Sequence, residues 1–570
     1  MRFDNWEIVG FDRDKAVEFY DNGINPLVSV LLASRGVTDI HEAQAAVGGE
    51  PALFYDPFLM VDMDKAVSRI KKAVETGEHI AVYGDYDVDG MTSVAVLAMY
   101  LKSKNANFEI YIPERFDEGY GLNNTALDTL KSHGVSLVIT VDCGVTAIEE
   151  AKYAKSIGLD LVITDHHECR DVLPEACAIV DAKRHDCNYP YKSLAGVGVV
   201  FKLVCALEGD YLSDSIFDKY IDLVAIGTVA DVMPVVDENR ELIRRGLIML
   251  NSCPRPGLHS LLVKAETEIG KVTASTISYV IAPRLNAAGR MAKTTLSIEI
   301  LLTESSEEAE DLAGKLCHLN SERRCLEHEI YEEAKAMLNT DKPEEPIVLA
   351  RHGWYKGVTG IVASKMADLY KLPVIVISID YDENGHGIGR GSCRSSGEFP
   401  LYDALCSCED ILDNYGGHIM AAGVTVAEEN IDELRRRLTE YYHKNNEIIP
   451  WNELKLDFEV EKPELLTLSN IEALKDLEPF GNGNPLPCLC MLGVEVLSAQ
   501  SVGSGKHSKL KIEKSGTCFE CIFFSACLDD LGIKEGDLVD IAFEPQANEF
   551  RGRSSVQLQL FDIKPVISQL

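Results

Sequence analysis

From residue 61 onward, short β-branched runs alternate with stretches that are apolar on one face at helical spacing. The runs at 79–84, 108–113, 137–141, 161–164 and 178–180 read as strands, and 92–103, 125–133 and 146–157 read as the helices between them. This alternation predicts an α/β domain built on a doubly wound parallel sheet over residues 61–235. Residues 1–60 read as a mixed lead-in with helical patterns at 25–35 and 39–46. Beyond 235 the texture turns helical. The stretch 303–339 reads as a long charged helix or a helix pair, and its polar majority predicts a helical connector over 236–340 between two lobes. A second α/β unit follows over 341–450, with strands near 345–350 and 373–378 and a helix over 428–447. From 451 to 570 alternating strands dominate, at 454–460, 493–499, 508–512, 518–524, 538–543 and 555–561. Such a series predicts a small β-barrel, with the OB-fold as one candidate.

Composition narrows the choices. The 570 residues carry 55 Lys+Arg against 91 Asp+Glu, a formal net charge of −36. With 46% hydrophobic and 26% charged residues the chain is globular, and its length predicts three or four domains. The longest apolar stretches, such as 93–101, fall short of the ~18–20 residues a membrane span needs. The opening MRFDNWEIVG lacks the basic and apolar regions of a signal peptide. The sixteen irregularly spaced cysteines argue against a disulfide framework, so a reducing, cytoplasmic setting is expected. The acidity excludes a broadly basic nucleic-acid surface. Any such site must be a local groove or a metal centre.

The strongest chemical signal is Gly84-Asp85-Tyr86-Asp87-Val88-Asp89-Gly90, directly after the first strand run. Three carboxylates converging on the carboxyl end of a parallel strand repel one another unless a hard cation neutralises them. An EF-hand needs Glu at position twelve, where this chain has Val96. Asp142 ends the run 137–141, Asp165-His166-His167 ends 161–164, and Asp231 follows the apolar run 223–230. Acids, or an acid with two imidazoles, thus stand at the same end of neighbouring strands. Carboxylates with one or two imidazoles suit Mn²⁺ or Mg²⁺. Other motifs fail: Gly196-Val-Gly198-Val-Val-Phe201 has Phe where a dinucleotide fingerprint needs Gly or Ala, and Gly503-Ser-Gly505-Lys506 lacks the first P-loop glycine. Cys518 and Cys521 lie in one alternating strand with no second pair.

A second set of residues suits a phosphodiester backbone. Arg284, Asn286 and Arg290 in Pro283-Arg-Leu-Asn-Ala-Ala-Gly-Arg290, Ser392 and Arg394 in Gly391-Ser-Cys-Arg-Ser395, and His418 after Gly416-Gly417 stand in loop-like contexts assigned to the second α/β unit. Arginine forks and glycine-rich turns bind phosphate well. Lys356, in the turn that starts at Gly353, is a further candidate for a phosphate contact of this kind.

GDYDVDG, VDCG, TDHH and GTVADVMP, in this order, resemble the four acidic motifs of the DHH phosphoesterases. APRLNAAGRM, GWYKGVTGIVASK, GSCRS and YGGHIMAAG resemble the companion DHHA1 domain. With the segments 477–485 and 502–507, the whole is similar to the branch of that family specific for single-stranded DNA. The resemblance implies a DHH domain, a long connecting helix, a DHHA1 domain and an OB-fold around a cleft. It implies two divalent cations, Mn²⁺ or Mg²⁺, on Asp85, Asp87, Asp142, His166, His167 and Asp231, with Asp89 and Asp165 orienting those ligands. It implies Arg115, Arg284, Asn286, Arg290, Ser392, Arg394 and His418 on the substrate. The implied activity is 5′→3′ hydrolysis of single-stranded DNA to 5′-mononucleotides in recombination and repair. The implied partners are single-strand-binding protein and a RecQ-type helicase, around a monomeric enzyme. Rival readings are a dinucleotide hydrolase or pyrophosphatase, for which the barrel is superfluous, and a non-catalytic scaffold, which the intact acidic motifs disfavour.

Overall fold

A computed structural model describes the chain except for residues 1–2, 4, 49–53, 115–120, 339, 341, 383, 396–398, 418–419, 446–452, 551 and 567–570. The chain opens with strand β1 (Asn5–Ile8) and helices α1 (Arg13–Asp21), α2 (Pro26–Ser34) and α3 (Ile40–Ala46). The first α/β unit runs α4 (Met63–Thr76), β2 (Ile80–Tyr83), α5 (Val88–Ser103), β3 (Phe108–Tyr111), α6 (Asn124–Ser132), β4 (Leu137–Val141), α7 (Ile148–Ser156), β5 (Asp160–Thr164) and β6 (Ala178–Val180). Its five strands form one parallel sheet in the order β3-β2-β4-β5-β6. β2 and β4 are buried along their whole length, which is why they read as unbroken apolar runs. α4 and α5 cover one face of the sheet and α6 and α7 the other. The chain leaves β2 for β3 on one side and returns to β4 on the other. The carboxyl ends of β2 and β4 therefore flank the switch point where such sheets open a ligand crevice.

Seven helices follow: α8 (Gly196–Glu208), α9 (Asp214–Ala230), α10 (Asp237–Ser252), α11 (Pro256–Lys264), α12 (Ala274–Thr276), then, after a π-helical turn (Ile277–Ile281), α13 (Ala282–Arg290) and α14 (Thr295–Leu302). The expected connector over 236–340 is therefore divided. Leu242, Leu258, Leu285 and Leu301 pack into the same core as the parallel sheet. Only α15 (Ser306–Ala336), a single 31-residue helix, passes onward. Its first half joins that core through Leu312 and Leu316, and its last turns join the next one through Ile330 and Ala334.

The second unit contains β7 (Ile347–His352), α16 (Lys356–Tyr370), β8 (Val374–Tyr381), β9 (Gly387–Arg394), α17 (Leu401–Cys406), β10 (Asn414–Gly417), β11 (Ala421–Ala427) and α18 (Ile431–Asn445). Its sheet has the order β10-β11-β9-β8-β7, with only β7 and β8 parallel. The last unit comprises β12 (Glu453–Leu456), β13 (Phe458–Glu459), β14 (Leu489–Val502), β15 (His507–Lys514), β16 (Thr517–Phe523), β17 (Leu538–Phe550) and β18 (Arg553–Pro565). The strands β14-β15-β16-β18-β17 close on themselves through a β14–β17 pairing, giving a five-stranded barrel. The N-terminal lead-in belongs here: Phe19, Leu27 and Leu31 share a core with Phe458 and Phe543, β1 pairs in parallel with β12, and Trp6 Nε1 donates to buried Asp562 at 3.0 Å. Among the described residues no helix is long and apolar enough to cross a membrane, and every cysteine is a free thiol.

Candidate metal centre

The site is assembled from four chain ends. Between β2 and α5 the loop turns so tightly that a Cβ on Gly84 would meet Val94 Cγ2 at 2.2 Å and one on Gly90 would meet the Asp85 carbonyl oxygen at 2.6 Å. Asp87 caps α5 by accepting the Gly90 N–H at 3.0 Å. Asp89, in the first turn of α5, is fully buried. Its carboxylate accepts the Gly196 N–H at 2.7 Å and the Val197 N–H at 2.8 Å, the exposed donors of the α8 N-terminus. After β4, Asp142 adopts φ 60°, a left-handed conformation that turns its side chain back into the crevice. After β5, Asp165 Oδ1 accepts from the His166 N–H at 2.8 Å, the His167 N–H at 3.2 Å and His167 Nδ1 at 2.7 Å, while Oδ2 accepts from the Val145 N–H at 2.9 Å. That contact fixes the His167 tautomer and leaves Nε2 as its ligating atom.

These ends converge. Asp85, Asp87 and Asp142 form one set of potential ligand atoms, Asp142, His166 and His167 a second, and Asp89, His166 and Asp231 a third, each within 4.8 Å. His166 Nε2 lies 3.1 Å from Asp142 Oδ1 and 3.6 Å from Asp231 Oδ2. Asp142 Oδ1 is buried and accepts no hydrogen bond, an orphaned anionic oxygen of the kind a cation satisfies. Burial and the charges of Asp89, Asp87 and Asp85 hold the Asp142 carboxyl well above the carboxylate range. Burial and Asp87 push Asp231 up to about 7. Burial and the neighbouring His167 lower His166 to about 4. His167 rises to about 9: burial acts against it, but the Asp165 hydrogen bond and charge outweigh that effect. The donors are oxygen and imidazole, the sets share Asp142 and His166, and excess negative charge is concentrated among them. This composition fits two hard divalent cations.

All eight acidic and imidazole residues expected at the centre are brought together, with one correction of origin. The run 223–230 is the end of helix α9, and Asp231 is its C-cap, so this acid arrives from a helix and not from a strand. Buried polar support was also underestimated, since Asp89 both anchors α8 and belongs to a potential ligand set.

The expected substrate residues are corrected more heavily. Arg284, Asn286 and Arg290 sit on helix α13 of the first unit, not in a loop of the second. Pro283 stands in the first helical turn, where its missing N–H costs nothing, and Leu285, Ala287 and Ala288 are buried in the first core. Gly289 brings α13 against the metal loop: a Cβ there would meet the Tyr86 carbonyl oxygen at 2.8 Å. Arg290 Nη1 donates to the Gly357 carbonyl at 3.1 Å and the Tyr355 hydroxyl donates to the Arg290 carbonyl at 3.0 Å, joining α13 to the start of α16. Ser392 and Arg394 lie on strand β9, not in a turn. A Cβ on Gly360 of α16 would stand 3.2 Å from Arg394 Nη2 and 3.3 Å from Ser392 Oγ, so both side chains meet the first turns of the helix that Lys356 begins. Arg115 and His418 lie outside the described residues.

Two residues escaped the sequence reading. Gly196, set aside with the failed dinucleotide fingerprint, starts α8, donates to Asp89, and leaves room for Asp142: a Cβ there would meet Asp142 Oδ1 at 2.6 Å. Gly227 of α9 is packed against Thr92 Oγ1 and Asp89 Oδ1, at 2.3 and 2.9 Å from the position of a Cβ. Glycine at the start of a helix that follows several acidic strand ends is the signal that would have found the first.

A parallel sheet whose strand ends gather aspartates and histidines around a divalent-cation site defines a metal-dependent phosphoesterase of the DHH type. The DHH family N-terminal domain model matches residues 79–228, the DHHA1 domain model 344–444 and the RecJ OB domain model 456–562. The chain is 40% identical to the single-stranded-DNA-specific exonuclease RecJ of Bacillus subtilis over 98% of its own length and 70% of that protein's. It superposes on Thermus thermophilus RecJ in complex with Mn²⁺ with a TM-score of 0.83 at 27% identity, covering 98% of this chain and 79% of that one, and on the Mg²⁺ complex with a TM-score of 0.78 at 26% identity, covering 98% and 78%. The chain belongs to the RecJ family of single-stranded-DNA-specific exonucleases, and it is a metal-dependent hydrolase.

Proposed function

We propose that this enzyme degrades single-stranded DNA from the 5′ end, releasing 5′-mononucleotides by two-metal hydrolysis in recombination and repair. The observation that carries the reading is the convergence of Asp85, Asp87, Asp142, His166, His167 and Asp231 on one crevice, with Asp165 holding His167 by its Nδ1. Those six residues would hold the cations, with Asp89 and Asp165 as their supports. Bound there, Mn²⁺ or Mg²⁺ supplies a nucleophilic water at neutral pH and neutralises charge developing on the phosphoryl oxygens.

The remaining work falls to side chains. Asp165 keeps the imidazole of His167 oriented, and Asp89 ties the metal loop to α8. Arg284, Asn286 and Arg290 on α13, with Ser392, Arg394 and Lys356 around the start of α16, would bind the phosphates next to the cleaved bond, joined by Arg115 and His418. These cations are local, which is how a chain of net charge −36 handles a polyanion. The barrel would hold the trailing strand by stacking and local charge. Within this reading the first unit, from α4 through α14, is catalytic, α15 is the connector, the second unit (341–450) binds substrate, and the barrel unit (451–570), with the lead-in (1–60) packed on it, binds nucleic acid. We place the enzyme in the cytoplasm as a monomer, working with single-strand-binding protein and a RecQ-type helicase.

The test uses one long single strand labelled at the 5′ end in one reaction and at the 3′ end in another, with Mn²⁺ and an Asp142→Ala control. Immediate release of labelled mononucleotide from the 5′ end only, absent in the variant, is the expected result. Survival of long strands while dinucleotides or pyrophosphate are consumed would reassign the substrate.

A further inference from the structure

The segment Leu477-Glu-Pro-Phe-Gly-Asn-Gly-Asn-Pro485 has no part in the chemistry described so far, yet it touches the chain beside Asp231. Asp231 ends α9, and the next residue, Val232, has φ 55°. A β-branched residue avoids that conformation, so the surroundings must hold it there. Within α9 the turn is closed by the Val232 N–H on the Val229 carbonyl at 3.1 Å and the Met233 N–H on the Thr228 carbonyl at 3.2 Å.

The rest of the restraint comes from the far unit. Asn482 Nδ2 donates to the Val232 carbonyl at 3.0 Å, and the Asn482 backbone carbonyl accepts the Val235 N–H at 2.6 Å. The loop is seated closely, since a Cβ on Gly481 would meet Val235 Cγ2 at 2.6 Å. It is also stiff. Asn484 Nδ2 donates to the Leu477 and Pro479 carbonyls, each at 2.9 Å, and Gly481 and Asn484 exchange backbone hydrogen bonds at 2.8 and 3.1 Å. Arg240 of α10 donates to the Asp476 and Glu478 carbonyls at 3.2 and 3.3 Å, and Arg35 of the lead-in donates to Asn484 Oδ1 at 3.0 Å. A rigid clasp carried by the barrel unit thus grips the strained turn that presents one of the centre's carboxylates.

We propose that Asn482 is a positioning residue of the metal centre, holding the turn Val232–Val235 so that Asp231 faces the cation. The proposal rests on Asp231 being a ligand. It is tested on the full chain by titrating Mn²⁺ and following the free-ion electron paramagnetic resonance signal, for wild type, Asn482→Ala, Asn482→Asp, Gly481→Ala and Asp231→Asn. Asn482→Asp keeps the shape and the backbone contact but cannot donate to Val232, and Gly481→Ala pushes on Val235 without removing a hydrogen bond. Each Asn482 and Gly481 variant is expected to weaken Mn²⁺ binding by about tenfold, the lower end of the ~10–100-fold seen when groups that orient ligands are lost. The Mn²⁺ concentration for half-maximal cleavage should rise by the same factor, with kcat recovered at saturating Mn²⁺ and circular dichroism unchanged. If Asp231→Asn weakens binding while the folded Asn482 and Gly481 variants bind as wild type, the proposal is overturned and Asp231 remains a ligand. If Asp231→Asn itself binds Mn²⁺ as wild type, the ligand reading fails and the proposal falls with it.

Discussion

Replacing Gly196 by alanine separates placement of the metal ligands from stability of the fold. The added methyl group would lie 2.6 Å from Asp142 Oδ1, 2.7 Å from its Cβ and 2.8 Å from its Cγ. Carbon–oxygen contacts settle near ~3.3 Å, so the carboxylate must retreat by about 0.7 Å. Catalytic groups tolerate roughly 0.5 Å of displacement, and a misplacement of about 1 Å costs on the order of 10²-fold. The expected loss in kcat/KM is therefore about 10–100-fold, or about 1.4–2.7 kcal/mol of transition-state stabilisation. Stability should fall by about 1–3 kcal/mol, the usual cost of overpacking, since Gly196 is the first residue of α8 and gains little of the helix-interior advantage of alanine. The neighbouring Gly198 is the control: a Cβ there meets only Leu194, at 3.4 Å and beyond, an ordinary contact. Steady-state cleavage of a 5′-labelled single strand at fixed Mn²⁺, with urea unfolding of each variant, reads both quantities. Wild-type kcat/KM in Gly196→Ala, or equal losses in Gly196→Ala and Gly198→Ala, would refute the argument that Asp142 needs this space.

Asp165→Asn leaves an amide facing four N–H donors, three of them on one oxygen, so a loss of about 2–4 kcal/mol in chemical unfolding is expected, and the His167 pKa should fall from about 9 when followed by NMR in chelator-treated protein. Lys202→Met strands Glu238, which is fully buried and shared by Lys202, the Tyr189 hydroxyl at 2.5 Å and the Tyr55 N–H at 2.9 Å; a cost of about 3–5 kcal/mol should appear in urea unfolding, with Mn²⁺ affinity unchanged. Arg394→Ala removes a cation beside the first turns of α16, and KM for a 5′-phosphorylated strand should rise by about tenfold, the equivalent of one charge-assisted hydrogen bond, while kcat changes less. Steady-state kinetics with and without the 5′-phosphate distinguish this from a general loss of binding.

The acidic centre was legible because a parallel sheet brings strand ends together, and each of those ends is announced by a short apolar run followed by an acid. Asp231 shows where that logic stops. An apolar run of eight residues serves equally as a buried strand or as the last turns of a helix buried on most sides, and α9 is the latter. Arg284, Asn286 and Arg290 read as loop residues because Pro, Ala and Gly surround them. The structure uses Pro283 to start a helix, and Gly289 lets that helix touch the Tyr86 carbonyl. Gly196 was passed over for a related reason: its neighbours fail a phosphate-binding pattern, and its requirement comes from the Asp142 carboxylate, which is far away in sequence. The helical region after residue 235 was read as linking material because the polar majority of 303–339 was extended to all of it, and the apolar faces of α10–α14 say that they are buried, but not against what.

The pairing of strand β1 with the barrel unit bears on how the protein is made. Trp6 and its partner Asp562 are separated by 556 positions. A ribosome adding about 5–20 residues per second needs on the order of half a minute to two minutes to cover that span. Throughout that time the apolar faces of α1 and α2, including Phe19, Leu27 and Leu31, have emerged without the barrel that covers them. The parallel sheet can fold co-translationally in the interval, whereas the lead-in and the clasp on the Asp231 turn must wait for the barrel unit. A chain released before β17 and β18 are complete would carry an uncovered greasy arm and an Asp231 turn without its folded clasp, making premature termination a route to aggregation as well as to lost DNA binding.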